Sequence, residues 1–283
     1  MKAQTTIGIV GGTGWLGRSI VTALLDSGFL SPDALMLSSR SGVFSDPKGA
    51  LSGVRVTADN QELVLQSDIV ILSVRPEDLG AVRIDVQDKL LVSLVAGVSL
   101  ADIGLFTQAR CVIRAMPNAA LEIRKSYTPW LANDQVDAQS KKYIQQLFET
   151  CGSADEVFSE RDLSYLTALT GTGPSYPALL AQALYNDAIK HGLSPAMAQR
   201  AVMGVVVQAS QLMSEERGFN ELLEVLREYR GVSAAGINGM LEGGLEASVK
   251  AGMARAFEVA QSNLFDIRAV EVDKGQLPLG RVD

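Results

Sequence analysis

The stretch Ile7-Gly-Ile-Val-Gly-Gly-Thr-Gly-Trp-Leu-Gly17 constrains this chain more than any other. Ile7, Ile9 and Val10 form the short apolar run of a buried parallel strand. Gly12-x-Gly14-x-x-Gly17 follows at once and opens a helix through Arg18 to Leu25, which Ser27-Gly28 stops. The glycines divide the physical work among them. One makes the tight turn, one lets backbone N–H groups approach a pyrophosphate, and one lets helix and strand pack closely. The arrangement predicts a dinucleotide site at Gly12, Thr13, Gly14, Trp15, Leu16 and Gly17; the alternative is a glycine-rich turn with no ligand.

The second half of that fingerprint should follow about twenty residues on, as a carboxylate for a ribose 2′-hydroxyl. Here the next strand, Ala34–Ser38, is introduced by Ser31-Pro32-Asp33 and runs into Ser39-Arg40-Ser41-Gly42. No carboxylate stands at its end. Two hydroxyls and a planar guanidinium suit a 2′-phosphate, so Ser39, Arg40 and Ser41 predict NADP, with NADPH preferred over NADH. The competing reading of Arg40 is a solvated loop charge.

Further strands are expected at Val54–Val56, Ile69–Val74, Leu90–Val95 and Cys111–Met116, with helices at Gln61–Gln66, capped by Asp59 or Asn60, and from Ser99 to Phe106. Pro76 is placed to start a helical turn. The run Ile69–Val74 is apolar throughout, which implies burial on both faces of a parallel sheet. Alternating strands and helices over about 150 residues make an open, doubly wound sheet. Its ligands bind beyond the carboxyl ends of the strands. Those ends are Gly11–Gly14, Ser38–Arg40, Ser73–Pro76, Val95–Gly97 and Met116–Asn118, five separated stretches that make one rim. Tyr127–Leu131 and Ala154–Phe158 read as two more strands around a helix over Asp137–Thr150.

Beyond Ser159 the strand signal ends. A capping-box-like Ser159-Glu-Arg-Asp162 leads into helices expected at Asp162–Leu169, Tyr176–Lys190, Pro195–Met213, Asn220–Arg227 and Leu245–Phe265. The expected organisation is an α/β Rossmann-type dinucleotide-binding domain over residues 1–158, an all-helical domain over 159–268 and a tail over 269–283. Between Pro195 and Met213 the apolar residues run almost all round the helix, which must then be buried all round. A small helical domain cannot do that alone, so a homodimer, or a multiple of dimers, with interlocked helices is expected. The alternative is a central helix in a monomer's own bundle.

Among 283 residues, 47% hydrophobic and 20% charged, the net charge of −7 argues against nucleic acid or an anionic membrane as partner. Cys111 and Cys151 are the only cysteines and His191 the only histidine. A disulfide framework is not expected, and such a set builds no usual zinc site. No stretch reaches the roughly 18 apolar residues of a membrane span. The opening residues lack the regions of a signal peptide, so a cytoplasmic location is expected. Lys190-His191-Gly192 reads as a helix end with a solvated cation.

Leu166-Thr-Ala-Leu-Thr-Gly-Thr-Gly-Pro-Ser-Tyr176, with Arg114-Ala-Met-Pro-Asn118, Val95-Ala-Gly97, Val74-Arg-Pro76 and Thr57-Ala-Asp-Asn60, closely resembles the pyrroline-5-carboxylate reductase family, in order and over residues 5 to 265. The resemblance implies a Rossmann domain followed by a helical dimerisation domain, with NAD(P)H reducing a cyclic imine carboxylate, typically pyrroline-5-carboxylate to proline. It implies that Asn60, Val74, Arg75, Pro76, Ala96 and Gly97 lie along the cofactor, beside the rim residue Ser73, and that Met116, Pro117 and Asn118 lie beside the nicotinamide. Thr170, Gly171, Thr172, Gly173 and Pro174 resemble the family's turn near the substrate. Hydride transfer to a protonated C=N carbon needs no dedicated base, so Thr172 or Ser233 is expected to serve by donating to the ring nitrogen or holding the carboxylate.

The chain departs from the family where a serine-proline-glycine-glycine run should lead to threonine: it reads Glu228-Tyr-Arg-Gly-Val-Ser233. Gly231 and Ser233 keep a correspondence, and Arg230 adds a guanidinium suited to a carboxylate. Lys125, Ala120 and Pro129-Trp130 also differ, and these changes are expected around the substrate rather than the cofactor. The Gly-Gly-Thr-Gly loop and Ser-Ser-Arg are similar to deazaflavin-linked NADP reductases as well. Two other outcomes therefore stay open: a different acceptor (another cyclic imine or a deazaflavin), or a non-catalytic nucleotide-binding scaffold.

Overall fold

A computed structural model of the chain describes residues 5–43, 49, 51–213, 218–228 and 231–262. They fall into two compact units, the first reaching Thr167 and the second comprising Ala168–Val259. The first unit contains eight strands: β1 Ile7–Val10, β2 Leu35–Ser38, β3 Arg55–Thr57, β4 Ile69–Leu72, β5 Leu90–Ser93, β6 Cys111–Ala115, β7 Ser126–Ala132 and β8 Gly152–Glu156. They form one sheet in the order β3-β2-β1-β4-β5-β6-β7-β8. Strands β1 to β6 are parallel.

The apolar runs form strands because both of their faces are covered. Ile7, Ile9, Leu35, Leu37, Ile71 and Val92 pack on one side with Ile20 and Leu24 of α1 (Trp15–Asp26) and Ile144, Leu147 and Phe148 of α4 (Ala138–Glu149). Val10, Met36, Val70, Leu72, Leu91 and Val112 pack on the other side with Leu63 and Val64 of α2 (Asn60–Leu65) and Ile103 of α3 (Leu100–Thr107). This is the period-two alternation of a strand, with apolar cover in both directions. Side-chain caps start α2, α3 and α4: Asp59 accepts from the Gln61 and Glu62 N–H groups, Ser99 from Asp102, and Asp137 from Ser140.

Strand β7 runs antiparallel to β6, and β8 parallel to β7. Between β6 and β7 lies only a short helical turn, Ala119–Ile123, which cannot carry the chain back across the sheet. A return without a crossover gives an antiparallel neighbour, whereas α4 gives β7 and β8 a parallel one. The first unit closes with α5 (Glu160–Leu166), capped by Ser159, which accepts from the Asp162 N–H.

The helical unit contains α6 (Ser175–Lys190), α7 (Pro195–Met203), α8 (Phe219–Glu228), α9 (Val232–Glu242) and α10 (Leu245–Gln261). The single helix expected over Pro195–Met213 changes its hydrogen-bond spacing after Met203: a wide turn over Gly204–Gln208 and a tight one over Ala209–Leu212. Gly204 followed by three valines is a poor helix sequence, which accounts for the change. Helix α9 has no counterpart among the helices expected from the sequence, because Gly236 and Gly239 obscure its pattern. The tail over 269–283 lies outside the described residues, as do the expected end of the last helix at Phe265, Tyr229 and Arg230.

In that expected helix Ala198 and Val202 are buried, yet Val205, Leu212 and Met213 remain 57%, 64% and 47% exposed. Leu179, Leu223, Met240, Leu245 and Val249 are also open. This unit leaves much apolar surface uncovered within one chain. Among the described residues no helix is long and apolar enough to cross a membrane.

One cation ties the sheet to α2. Lys89 Nζ donates to the carbonyls of Val64, Leu65 and Ser67 at 2.5, 3.0 and 2.7 Å, closing the helix's carboxyl end. Replacing Lys89 by Met removes all three donors while keeping most of the stem. It should lower stability by about 1–2 kcal/mol, read by urea unfolding of the intact protein.

Candidate nucleotide and substrate site

Because β2, β1, β4, β5 and β6 are parallel neighbours, their carboxyl ends share one edge. That edge carries, in spatial order, Ser39–Ser41, Gly11–Gly17, Ser73–Pro76, Ala96–Gly97 and Met116–Asn118. The chain goes one way from β1 into β2 and β3 and the other way through β4 to β6, so the order reverses between β1 and β4. Open α/β sheets bind ligands at this crevice.

The glycine loop fits a dinucleotide. Gly11 has φ +74°, and a Cβ there would lie 2.5 Å from the Ser73 carbonyl oxygen of the neighbouring strand end. Gly17 presses on the loop: its Cβ would lie 2.7 Å from Gly12 Cα. Gly14 caps α1 without a side-chain hydrogen bond, and the first turn holds no acidic residue. The N–H groups of that turn have no intrahelical acceptor, and the helix dipole favours an anion there. Trp15, at the first helical position, is half exposed, and its Nε1 donates to Glu122 Oε2 at 3.4 Å.

At the end of β2, the Ser39 N–H bonds to the Thr57 carbonyl, and a turn closes from the Gly42 N–H to the Ser39 carbonyl. Arg40 projects from it with its side chain 93% exposed, 3.7 Å from Asp78. Ser41 Oγ donates to the Val43 carbonyl. Asn60, at the start of α2, reaches over the strand end, where its Oδ1 accepts from Ser38 Oγ at 2.6 Å. Arg75 is exposed and 3.8 Å from Glu77. Val74 and Pro76 are part-buried beside it, as are Ala96 and Gly97, and Gly97 turns with φ +70°.

Met116 is buried against Leu131 and Leu163, with Ala96 and Leu100 beside them. Its N–H donates to the Pro129 carbonyl. The Asn118 N–H donates to Ser126 Oγ at 3.0 Å, and its side chain accepts from the Ala120 N–H at 2.9 Å, so its amide oxygen shapes the turn. Trp130, expected near the substrate, instead belongs to the core: it is 2% exposed, and Nε1 donates to Gln145 Oε1 at 2.8 Å. Trp130 pairs with Ala115 at the end of β6, and the alternation of side chains along β7 turns it onto the face covered by α4 while Leu131 takes the face of Met116.

Arg114 is also structural. It is buried in β6 and ion-paired with Glu160, whose other oxygen accepts from the Leu100 N–H at 2.7 Å. Burial pulls the guanidinium below its ordinary pKa, and Glu160 opposes that shift. The carboxylate thereby fixes the strand before Met116, the start of α3 after Gly97, and the start of α5. Sequence reading missed Glu160 and Asp78 because each acts on a distant segment, with no spacing to signal it, and Ser126 because its hydroxyl acts back across the turn on Asn118.

In the helical unit, Thr167–Gly171 forms a wide helical turn. Thr170, Thr172 and Gly173 are part-buried and Gly171 is exposed. Thr172 Oγ1 donates to the Ala168 carbonyl, leaving its lone pairs to accept. Tyr176 donates to the same carbonyl at 2.9 Å. Gly231 is the N-cap of α9, again with no side-chain cap and no acid in the first turn, and Ser233 is an exposed residue of that turn. Arg230, the expected carboxylate clamp, lies outside the described residues. His191 ends α6, with Nδ1 3.0 Å from the Asp187 carbonyl and its side chain 75% exposed, a solvated helix end.

Residues 160–263 match the family model for the pyrroline-5-carboxylate reductase dimerisation domain, and residues 6–97 match that of the coenzyme F420-dependent NADP oxidoreductases. The pyrroline-5-carboxylate reductase of Pseudomonas aeruginosa is 30% identical over 249 residues, covering 84% of this chain and 90% of that one. The chain belongs to the pyrroline-5-carboxylate reductase family. The reductase of Synechocystis is 27% identical over 260 residues, covering 90% of this chain and 97% of that one. The structure of the Coxiella burnetii reductase superposes with a TM-score of 0.81 at 26% identity, covering 91% of this chain and 98% of that one. A Plasmodium falciparum reductase with NADP bound shares the fold, with a TM-score of 0.76 at 21% identity and coverage of 91% and 97%. The family membership explains the uncovered apolar surface: the helical unit is an oligomerisation domain.

The Arg114–Glu160 pair should matter to stability. Glu160→Gln leaves a buried guanidinium without its counter-charge. Since the Glu160 side chain is 40% exposed, the expected loss is about 2 kcal/mol rather than the larger cost of a fully buried pair, measured by urea unfolding.

Proposed function

We propose that this protein reduces pyrroline-5-carboxylate to proline with NADPH. The observation that carries the reading is that one chain of this family holds a dinucleotide-type rim in its first unit and, in its second, an uncapped α9 amino terminus at Gly231–Ser233. When bound, the reduced nicotinamide supplies the hydride.

The residues of the chain bind and orient. The first turn of α1, after Gly12–Gly14, takes the pyrophosphate on its N–H groups, with Thr13, Trp15, Leu16 and Gly17 framing the loop. Ser39, Arg40 and Ser41 take the 2′-phosphate; Asn60, Ser73, Val74, Arg75 and Pro76 line the adenosine side; Ala96, Gly97, Met116, Pro117 and Asn118 line the nicotinamide side. The α9 amino terminus receives the substrate carboxylate through the N–H groups of its first turn and the Ser233 hydroxyl, which is the charge a helix start favours. Arg230, which precedes Gly231 in the sequence, adds a cation for the same carboxylate. Thr170–Gly173 offers small residues that let the imine ring approach.

A protonated iminium carbon is electrophilic, so orientation and exclusion of water suffice. Since the Thr172 proton is directed at Ala168, Ser233 is the better donor to the substrate, and Thr172 serves as an acceptor toward the ring N–H. The assembly is a homodimer or a multiple of dimers built through the helical unit, and the protein works in the cytoplasm.

Three experiments test this reading. NADPH oxidation by the purified protein with pyrroline-5-carboxylate should yield stoichiometric proline; cofactor binding with no turnover would sink the substrate assignment and leave another imine or a deazaflavin as the acceptor. Ser233→Ala should raise KM for the imine roughly tenfold while leaving NADPH affinity unchanged, and Arg40→Ala should weaken NADPH about tenfold or more but NADH little. Equal losses for both nucleotides would contradict the 2′-phosphate role.

A further inference from the structure

The first 80 residues place a carboxylate where the strand sequence has none. Strand β2 ends in Ser38-Ser39-Arg40, without the acid that usually accepts from a ribose 2′-hydroxyl. The turn Pro76–Ala81 after β4 brings Asp78 Oδ1 to 3.7 Å from Arg40 Nη2. We propose that Arg40 and Asp78 together form a two-sign cofactor selector, the guanidinium receiving the 2′-phosphate of NADPH and the carboxylate receiving the 2′-hydroxyl of NADH. Asp78 thereby limits the preference for NADPH that Arg40 creates. The inference rests on the nucleotide-binding part of the proposed function and is independent of which imine is reduced.

The geometry favours a ligand role over a structural one. The two side chains are 93% and 41% exposed, so their mutual attraction is screened and adds little to folding. Both sit on the rim, on the turns that follow β2 and β4, the strands flanking β1 and its glycine loop. Nearby acids are already engaged: Glu62 accepts from Thr57 Oγ1, Asp59 caps α2, and Glu77 lies 3.8 Å from Arg75. Among the described residues, Asp78 is the carboxylate that faces Arg40. A 2′-phosphate bound by Arg40 must lie close to it, and like charges at that range repel. A neutral 2′-hydroxyl meets the opposite situation, since a carboxylate is the stronger acceptor for it.

The pair therefore predicts opposite consequences for two substitutions. Binding of NADPH, NADH, 2′,5′-ADP and 5′-ADP to the intact protein is measured by fluorescence titration or calorimetry, without substrate. Asp78→Asn should tighten 2′,5′-ADP and NADPH, weaken 5′-ADP and NADH, and raise the NADPH-to-NADH affinity ratio roughly three- to tenfold, with the gain shrinking as salt rises. Asp78→Ala should change the ratio in the same direction. Arg40→Ala should move it the other way. An unchanged ratio in both Asp78 variants, or a shift toward NADH, overturns the proposal. If neither dinucleotide binds the wild-type protein, this proposal and the nucleotide reading fall together. If both bind but no imine is reduced, only the substrate assignment fails, and the affinity ratios still decide the role of Asp78.

Discussion

Helix α1 can start where it does only because Gly17 meets Gly12 with no side chain between them: a Cβ on Gly17 would lie 2.7 Å from Gly12 Cα and 2.9 Å from its carbonyl oxygen. A larger residue would lift the helix off the strand end. That close approach aims the first turn of α1 at the crevice between β1 and β4, where Gly11 passes so near the Ser73 carbonyl that no Cβ would fit. The rest of the rim follows from the sheet. Strands covered on both faces leave their carboxyl ends as the place for polar chemistry, and parallel pairing puts five of those ends on one edge.

The helical unit obeys a different constraint. Helices α6, α8, α9 and α10 contain no residue buried within the chain, although Leu179, Leu223, Met240, Leu245 and Val249 are apolar and exposed. A stable unit does not present that much apolar surface to water, so association has to cover part of it. The family model for a dimerisation domain over residues 160–263 agrees with this physical need.

What the sequence made legible follows the range of the interactions. The strand, glycine turn and helix over Ile7–Gly17, and the caps at Ser99 and Ser159, depend on neighbours within a few residues and could be read directly; the cap of α2 was narrowed to Asp59 or Asn60, and Asp137, read as the first residue of its helix, is the cap. The antiparallel turn into β7 could not, because it depends on the lack of a crossover helix rather than on any strand's own residues. Trp130 was expected around the substrate and is core, since the alternation along β7 turns it to the face that α4 covers. Helix α9 hid behind its glycines. Glu160 and Asp78 were invisible for a further reason: each pairs with a segment 38 or more residues away along the chain, and only the sheet order brings those segments together.

The chain is acidic overall, at −7, while its proposed cofactor and substrate are anions. Among the described residues the rim does not solve this with a surplus of cations, because Arg40 and Arg75 each face a carboxylate, Asp78 and Glu77. Attraction must then come largely from backbone dipoles. The amino termini of α1 and α9 lack both a side-chain cap and an acid in the first turn, and they are the ones assigned to the pyrophosphate and the carboxylate. Such dipoles bind at short range and are screened less than surface ion pairs. In this arrangement salt should weaken the 2′-phosphate contact at Arg40 more than the pyrophosphate contact at α1, because the first rests on an exposed ion pair and the second on fixed N–H groups at the mouth of a buried sheet.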